Sequence, residues 1–317
     1  MSRFVDIDLA ALPPPDAVQV PDFEALLAAR KESILARVAA RTSDAELLAD
    51  LSAVLYGSEL EPVVVNAEVG AEREVLVYER INDAVRAVLL PSSRGADLDQ
   101  IVSRLGVVRQ SHPGVPEANP PIPAYREGDE DLRERYQLAL EALSTAGPYG
   151  AYHFHARSAH PHIKKTGVYG PESGLVEPGR VRVVVLSRVG QGAPSEQILA
   201  SVRAALDNED RVPLTDYVSV VGATVVPYTA VYHLKIAKGP DPALVAEAAR
   251  VALVKYVESR HKVAARVLTT ALDGAAHGDR VNIEEVARIA PAGNIDPGPE
   301  GAAFCASVAV TWEVVDG

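Results

Sequence analysis

After Asp22, apolar residues recur at three- and four-residue steps through Phe23, Leu26, Leu27, Ile34, Leu35 and Val38. That spacing puts them on one face of a helix, and Asp44 to Leu55 repeats it over a shorter span. A third run opens at Pro62, a residue suited to the first helical turn. It continues to about Leu90 through Val65, Val69, Leu76, Ile81, Val85, Val88 and Leu89. At 1.5 Å per residue this helix would be roughly 40 Å long, more than a compact domain of about a hundred residues needs. Its apolar stripe has two readings: a face turned toward another chain, or one wall of a three-helix bundle within this chain. A small helix from Asp97 to Leu105 should bury Leu98, Ile101 and Leu105 and stop at Gly106.

Proline marks the ends of this helical region. Pro13-Pro14-Pro15 and Pro21 make residues 1–21 an extended arm, because proline lacks an amide donor and restricts its predecessor. Residues 111–124, which include Pro113, Pro116, Pro120, Pro121 and Pro123, are expected to form a semi-rigid extended linker. Beyond it, Asp129 is expected to cap a helix with acidic residues in its first turn. Leu132, Tyr136, Leu140 and Leu143 should line one face of that helix until Gly147 ends it.

Further on, Val181 to Ser187 is rich in β-branched residues and reads as a strand. Pro194 opens a helix through Ile198, Val202 and Leu206, and another strand begins near Tyr217. The order recurs with a long strand holding Tyr228, Tyr232, Leu234 and Ile236, an apolar helix from Asp241 to Glu258, and strands at Val281–Ile289 and Ala306–Val315. The expectation is an α+β multidomain chain: an arm (1–21), a helical region (22–110), a linker (111–124) and two tandem α/β units (125–222 and 223–317).

Composition narrows the function classes. The chain has 317 residues and a formal charge of −12, and it shows no cluster of Lys and Arg, which speaks against a phosphate-backbone partner. The amino terminus has no basic segment leading into an apolar core, and no stretch approaches the roughly 18 apolar residues of a membrane span. No nucleic-acid or membrane partner is expected, and synthesis should end in the cytoplasm. A single cysteine, Cys305, fits a reducing compartment.

Candidate chemistry concentrates between Leu140 and His162. His153, His155, His160 and His162 invite a metal-dependent hydrolase reading, yet His153 and His155 diverge on a helix, and no neighbouring Cys, Asp or Glu completes a ligand set. Residues 151–159 read as a short helix with Tyr152 and Ala156 inward, and the histidines as surface variation. Ser144 lies outside any Gly-x-Ser-x-Gly elbow. The acidic residues of 127–134 read as a solvated first turn. Gly190-Gln191-Gly192 lacks the rest of a phosphate loop, and Cys305 reads as a core residue. No catalytic, cofactor-binding or metal-ligating residue is assigned.

Four landmarks carry a resemblance. They are Arg80 to Leu90, the Gly95-to-Gln100 stretch leading to Leu105-Gly106-Val107, the Leu143-to-Tyr152 joint with His155-Ala156, and Pro213-Leu214-Thr215-Asp216. In this order, across about residues 20 to 315, they resemble the baseplate assembly protein J family of contractile phage tails and related injection particles. The resemblance implies a structural wedge subunit located in a virion tail baseplate. Its implied partners are a second copy of itself, a smaller wedge tail protein in a two-to-one complex, a sheath-initiating lysozyme-like wedge protein, and neighbouring wedges and hub. The alternative is a metal-dependent hydrolase using His153, His155, His160 and His162, and an adaptor outside any tail is a third reading.

Overall fold

The computed structural model describes residues 12–13, 15, 17–117, 121–144, 146–207, 213, 215–239, 241–278 and 282–315. Most of the 1–21 arm and Leu214 of the fourth landmark lie outside them, as do Val281 and Thr145. The fold is α+β, with helices first and, among the described residues, three small sheets after. The chain forms two compact units, Ile7–Arg104 and Leu105–Gly317.

The first unit holds α1 (Phe23–Ala39), α2 (Ala45–Gly57), α3 (Pro62–Ala87) and α4 (Gly95–Ser103). Capping explains where these helices start. The Asp22 carboxylate accepts from the Glu24 amide, and Asp44 accepts from Glu46 and Leu47, satisfying amides that no helical carbonyl reaches. Pro62 is the first residue of α3, where a missing N–H does no harm. The core here is thin: Leu27 of α1 packs with Ala67 and Ala71 of α3. In α4 the deeply buried residues are Leu98 and Val102, whereas Ile101 and Leu105 are only half-buried. The helix closes one turn before Gly106, and this shifts the inward face by a residue.

The second unit begins with a correction. Residues 111–117 and 121–126 pair with each other instead of extending: β1 (Ser111–His112) pairs antiparallel with β2 (Tyr125–Arg126), and Val115 bridges Ile122. Proline forbids long ladders but tolerates isolated pairs flanking a turn. Next come α5 (Asp129–Ala139), a short 3-10 turn at Glu141–Leu143 and α6 (Tyr149–Ser158). The residue at the cap of α5 is Gly128, and Asp129 is already helical. The helix ends at Ala139, eight residues before Gly147, and leaves Leu140 and Leu143 exposed and off the expected inward face.

A strand absent from the expected order follows, β3 (Ile163–Tyr169). It pairs antiparallel with β4 (Arg180–Ser187), and β4 pairs in parallel with β5 (Tyr217–Gly222) across α7 (Glu196–Leu206). Ser195, not Pro194, caps α7, which buries Ile198, Val202 and Leu206 against Tyr152 and Ala156 of α6 and the valines of β4. The last sheet has the order β7-β6-β8, with β6 (Thr224–Ala237) between antiparallel β7 (Ile283–Ala290) and parallel β8 (Gly301–Val315). α8 (Pro242–Arg260) and α9 (Thr269–His277) cover one face of it, burying Tyr232, Leu234, Ile236 and Leu253. A shared cluster of Val184, Leu186, Ala223 and Ala302 joins the two sheets, and an Arg182–Glu300 ion pair of 2.6 Å adds to the joint.

Candidate functional site

The acidic stretch before and within α5 is the largest departure from expectation. Glu127 and Arg135 are buried and bonded bidentately, Nε to Oε1 at 2.8 Å and Nη2 to Oε2 at 2.6 Å. The same Arg135 donates to the Val108 carbonyl, and Glu127 also accepts from the Gln110 amide. Arg109 donates to the Glu127 carbonyl and to Asp129 Oδ1, both at 2.7 Å. Asp131 accepts from Arg188 at 2.9 Å, and Glu134 pairs with Arg157 at 3.1 Å and with Lys165. These carboxylates are therefore not a solvated first turn. They tie residues 108–110, the hairpin, α5, α6, β3 and the end of β4 into one polar lattice. A charge taken out of water needs a partner with good geometry, and the bidentate fork supplies it.

The joint between α5 and α6 is built with equal closeness. Gly147 has a φ of +67°, a left-handed conformation, and a Cβ there would lie 2.6 Å from Pro213 Cγ. Gly150 donates its amide to Glu141 at 2.8 Å, so the carboxylate caps the start of α6, where the helix dipole is positive. A side chain at position 150 would collide with that carboxylate. The Tyr152 hydroxyl donates to Asp216 at 2.5 Å. Burial first, then that bond, raises the Tyr152 pKa above its ordinary value. Two sequence landmarks thus meet in space: Gly147 to Tyr152 packs on Pro213 and Asp216.

The four histidines separate. His153 Nδ1 lies 2.7 Å from Thr166 Oγ1, and desolvation followed by the Arg157 charge pushes its pKa down to about 4. His155 packs its ring edge-on to Phe154. His160 and His162 stack instead with His112, at ring distances of 5.6 and 4.7 Å. His162 is fully buried, so it is no surface variation, and burial lowers its pKa and that of His160. His112 sits in the proline-rich segment 50 residues away, and no spacing rule links it to the other two. The three imidazoles lie in tilted ring contact, with His162 the buried member. Among the described residues no three His, Cys, Asp or Glu side chains converge as a metal site. Ser144 is exposed with its hydroxyl accepting from Ala146, and Cys305 is half-buried with a raised pKa caused by burial.

In the helical unit the surface itself is the feature. On α3, Val65, Val69, Leu76 and Ile81 are 43%, 42%, 61% and 41% exposed, although they are the residues of the expected stripe. Val64, Ala67 and Ala71 are the ones buried, so α1 covers a different, small-residue side of the helix. Asn82 is buried too and bonds Val18 twice, accepting from its amide at 2.9 Å and donating to its carbonyl at 2.8 Å. That pair mimics one rung of a ladder and fixes the described end of the arm on α3. Among the described residues no helix is long and apolar enough to cross a membrane.

A family model described as the baseplate J-like N-terminal domain matches residues 59–112, and one described as the baseplate J-like central domain matches 144–222. Baseplate protein J of Escherichia phage P2 is 36% identical over 300 residues, covering 94% of this chain and 95% of the relative. A chain of the anti-feeding prophage baseplate, solved by cryo-EM with 6-fold symmetrisation, aligns at a TM-score of 0.38 with 13% identity. That alignment covers 60% of this chain and 44% of that one.

Proposed function

This chain belongs to the baseplate J family, and from that premise we propose that it is a structural, non-enzymatic subunit of a contractile-tail baseplate. Its work is the making and rearranging of protein interfaces. The observation that carries this reading is the identity to a baseplate protein over almost the whole chain, with both family domains in order. The physical features fit it. A helix of 26 residues displays valine, leucine and isoleucine to water, and a surface of that kind finds its stability in a partner.

In this reading the helical region 22–110 enters a bundle with other wedge chains. Two copies combine with one smaller wedge tail protein, and the bundle approaches the sheath-initiating lysozyme-like wedge protein. The two α/β units, 125–222 and 223–317, meet neighbouring wedges around the hub and part on contraction. The rigidly tied joint at Gly147–Tyr152 passes load between the hairpin lattice and the first sheet without bending.

Co-expression with the smaller wedge protein tests it. A complex of two copies to one, measured by light scattering, is the expected result, and Leu76→Asp with Ile81→Asp should abolish it. A wild-type chain that stays monomeric beside that partner would overturn the wedge assignment.

A further inference from the structure

His112, His160 and His162 meet at the hairpin with their ring centroids 4.7 to 5.6 Å apart. Backbone bonds fix the protonation state of two of them. His112 Nδ1 accepts from the Gly114 amide at 3.0 Å, and His160 Nδ1 accepts from the His162 amide at 3.1 Å. A backbone N–H can only donate, so each of these Nδ1 atoms carries a lone pair and each ring is the neutral Nε2–H form. A proton added to either Nδ1 would set two N–H groups against each other. It would also place a charge beside two further imidazoles, one of which, His162, is buried with an unpartnered Nε2.

The charged groups around the cluster are committed elsewhere. From the end of β4 the Arg188 guanidinium lies 4.8 Å over the Tyr125 ring, which is itself 5.9 Å from His162, and adds positive charge there. Asp131 of α5 is bonded to Arg188 at 2.9 Å, and Glu127 is bonded to Arg135. Lys164, at the start of β3, lies 2.9 Å from His261 Nδ1, and Arg157 of α6 pairs with Glu134. Burial first, and then the charge that His112 would carry, holds the pKa values of His160 and His162 below the ordinary imidazole value.

The hairpin is the part built to give way. It has two paired residues on each strand and the single bridge Val115–Ile122, because Pro113, Pro116, Pro121 and Pro123 interrupt the ladder. Gly114, whose amide His112 holds, is wedged against the opposite strand, where a Cβ would lie 2.7 Å from the Ala124 nitrogen. The segment carrying His160 and His162 is anchored more firmly, by the Arg188 amide on the His162 carbonyl at 2.7 Å and by the pairing of β3 with β4 behind it. The base of the hairpin is held by Arg109 and Arg135, whose partners are not imidazoles.

We propose that the three imidazoles are a proton-operated latch: neutral, they hold residues 111–117 and 121–126 against the segment before β3, and protonation frees that hairpin about its base while both sheets stay folded. The sign follows from the depressed values. A folded state that resists protonation keeps its full stability above the pKa of the free side chain, about 6.5, and loses it as pH falls below that. The latch is therefore closed at neutral pH and opens in acid. It needs no partner chain, so it stands or falls separately from the baseplate assignment.

Amide hydrogen exchange of the full chain at pH 7.5 and pH 5.0, corrected for the intrinsic pH dependence of exchange, tests it. Protection of the hairpin amides, Val115 and Ile122 among them, should fall by about tenfold or more in acid, while β4 and β6 keep theirs. His112→Gln retains an acceptor that takes up no proton, and in it the acid loss should shrink to less than about threefold. Nitrogen-15 ring spectra of the wild type supply an arm that needs no variant. His112 and His160 should be Nε2–H tautomers at pH 7.5 and should take up protons over the same range in which the hairpin loses protection. The inference is overturned by unchanged hairpin protection in acid, by equal loss in the sheets, by a His112→Gln chain as acid-sensitive as wild type, or by ring protonation that leaves the hairpin protected.

Discussion

The helical unit Ile7–Arg104 and the α/β unit Leu105–Gly317 treat polarity in opposite ways. In the first, large aliphatic side chains of α3 face water, while alanines and one asparagine are buried against α1 and the arm. In the second, valines and tyrosines fill two sheet cores, and arginines and a glutamate are buried with them as matched pairs. The contrast teaches where each unit's stability resides. The α/β unit pairs its buried Glu127 and Arg135 within itself, and among the described residues the helical unit leaves the large aliphatic side chains of α3 exposed.

The sharpest way to break this contrast is to remove a charge from each. Arg135→Ala strands the buried Glu127 carboxylate and should cost about 3–5 kcal/mol, read as a lower denaturation midpoint of the α/β unit. Arg30→Ala, which removes the ion pair to Glu74 on the helical side, should cost no more than about 1 kcal/mol because both partners are over a third exposed. Similar losses from the two substitutions would refute the distinction.

Acid should separate the units next. His153 and His261 both have pKa values pushed down to about 4, chiefly by burial, against 6.5 for the free side chain. A depressed value means the unfolded chain binds more protons between pH 6.5 and 4. The stabilisation is therefore whole above pH 6.5 and is lost as pH falls toward 4, on the order of 3 kcal/mol for each histidine. The stretch from residue 7 to 104 contains no histidine, so its thermal unfolding should change far less over that window. Calorimetry at pH 7 and pH 4.5 checks this. The smallest effect belongs to the stripe: Leu76→Ser with Ile81→Ser should shift the isolated chain's stability by no more than about 0.5 kcal/mol per site. A large loss would show that the stripe is packed within the chain.

Much of this was readable in advance, for identifiable reasons. The helices α1 to α3 follow a repeat of about 3.6, and their starts follow from Asp22, Asp44 and Pro62, all of which are local signals. The strand β3 was hidden because Ile163-Lys164-Lys165-Thr166-Gly167-Val168-Tyr169 neither alternates nor runs apolar, and its lysine stems are covered by groups from elsewhere. The hairpin was hidden by its prolines. Glu127, Asp131 and Glu134 looked like dipole compensation because the arginines and lysine that claim them, among them Arg157, Lys165 and Arg188, come from other elements.

By itself the sequence determined the helices α1 to α3 and where they start, the apolar stripe on α3 and the membership in a baseplate family. These depend on residues a few positions apart, or on similarity along the chain. Only the tertiary structure decided that the Gly147–Tyr152 joint is clamped to Pro213 and Asp216, that His112 joins His160 and His162, and that β8 pairs in parallel with β6 at the border of its sheet. Burial and pairing arise when segments tens of residues apart meet. A local pattern can show that a residue is apolar or charged, but its neighbours in space decide whether water, an ion partner or another chain will satisfy it.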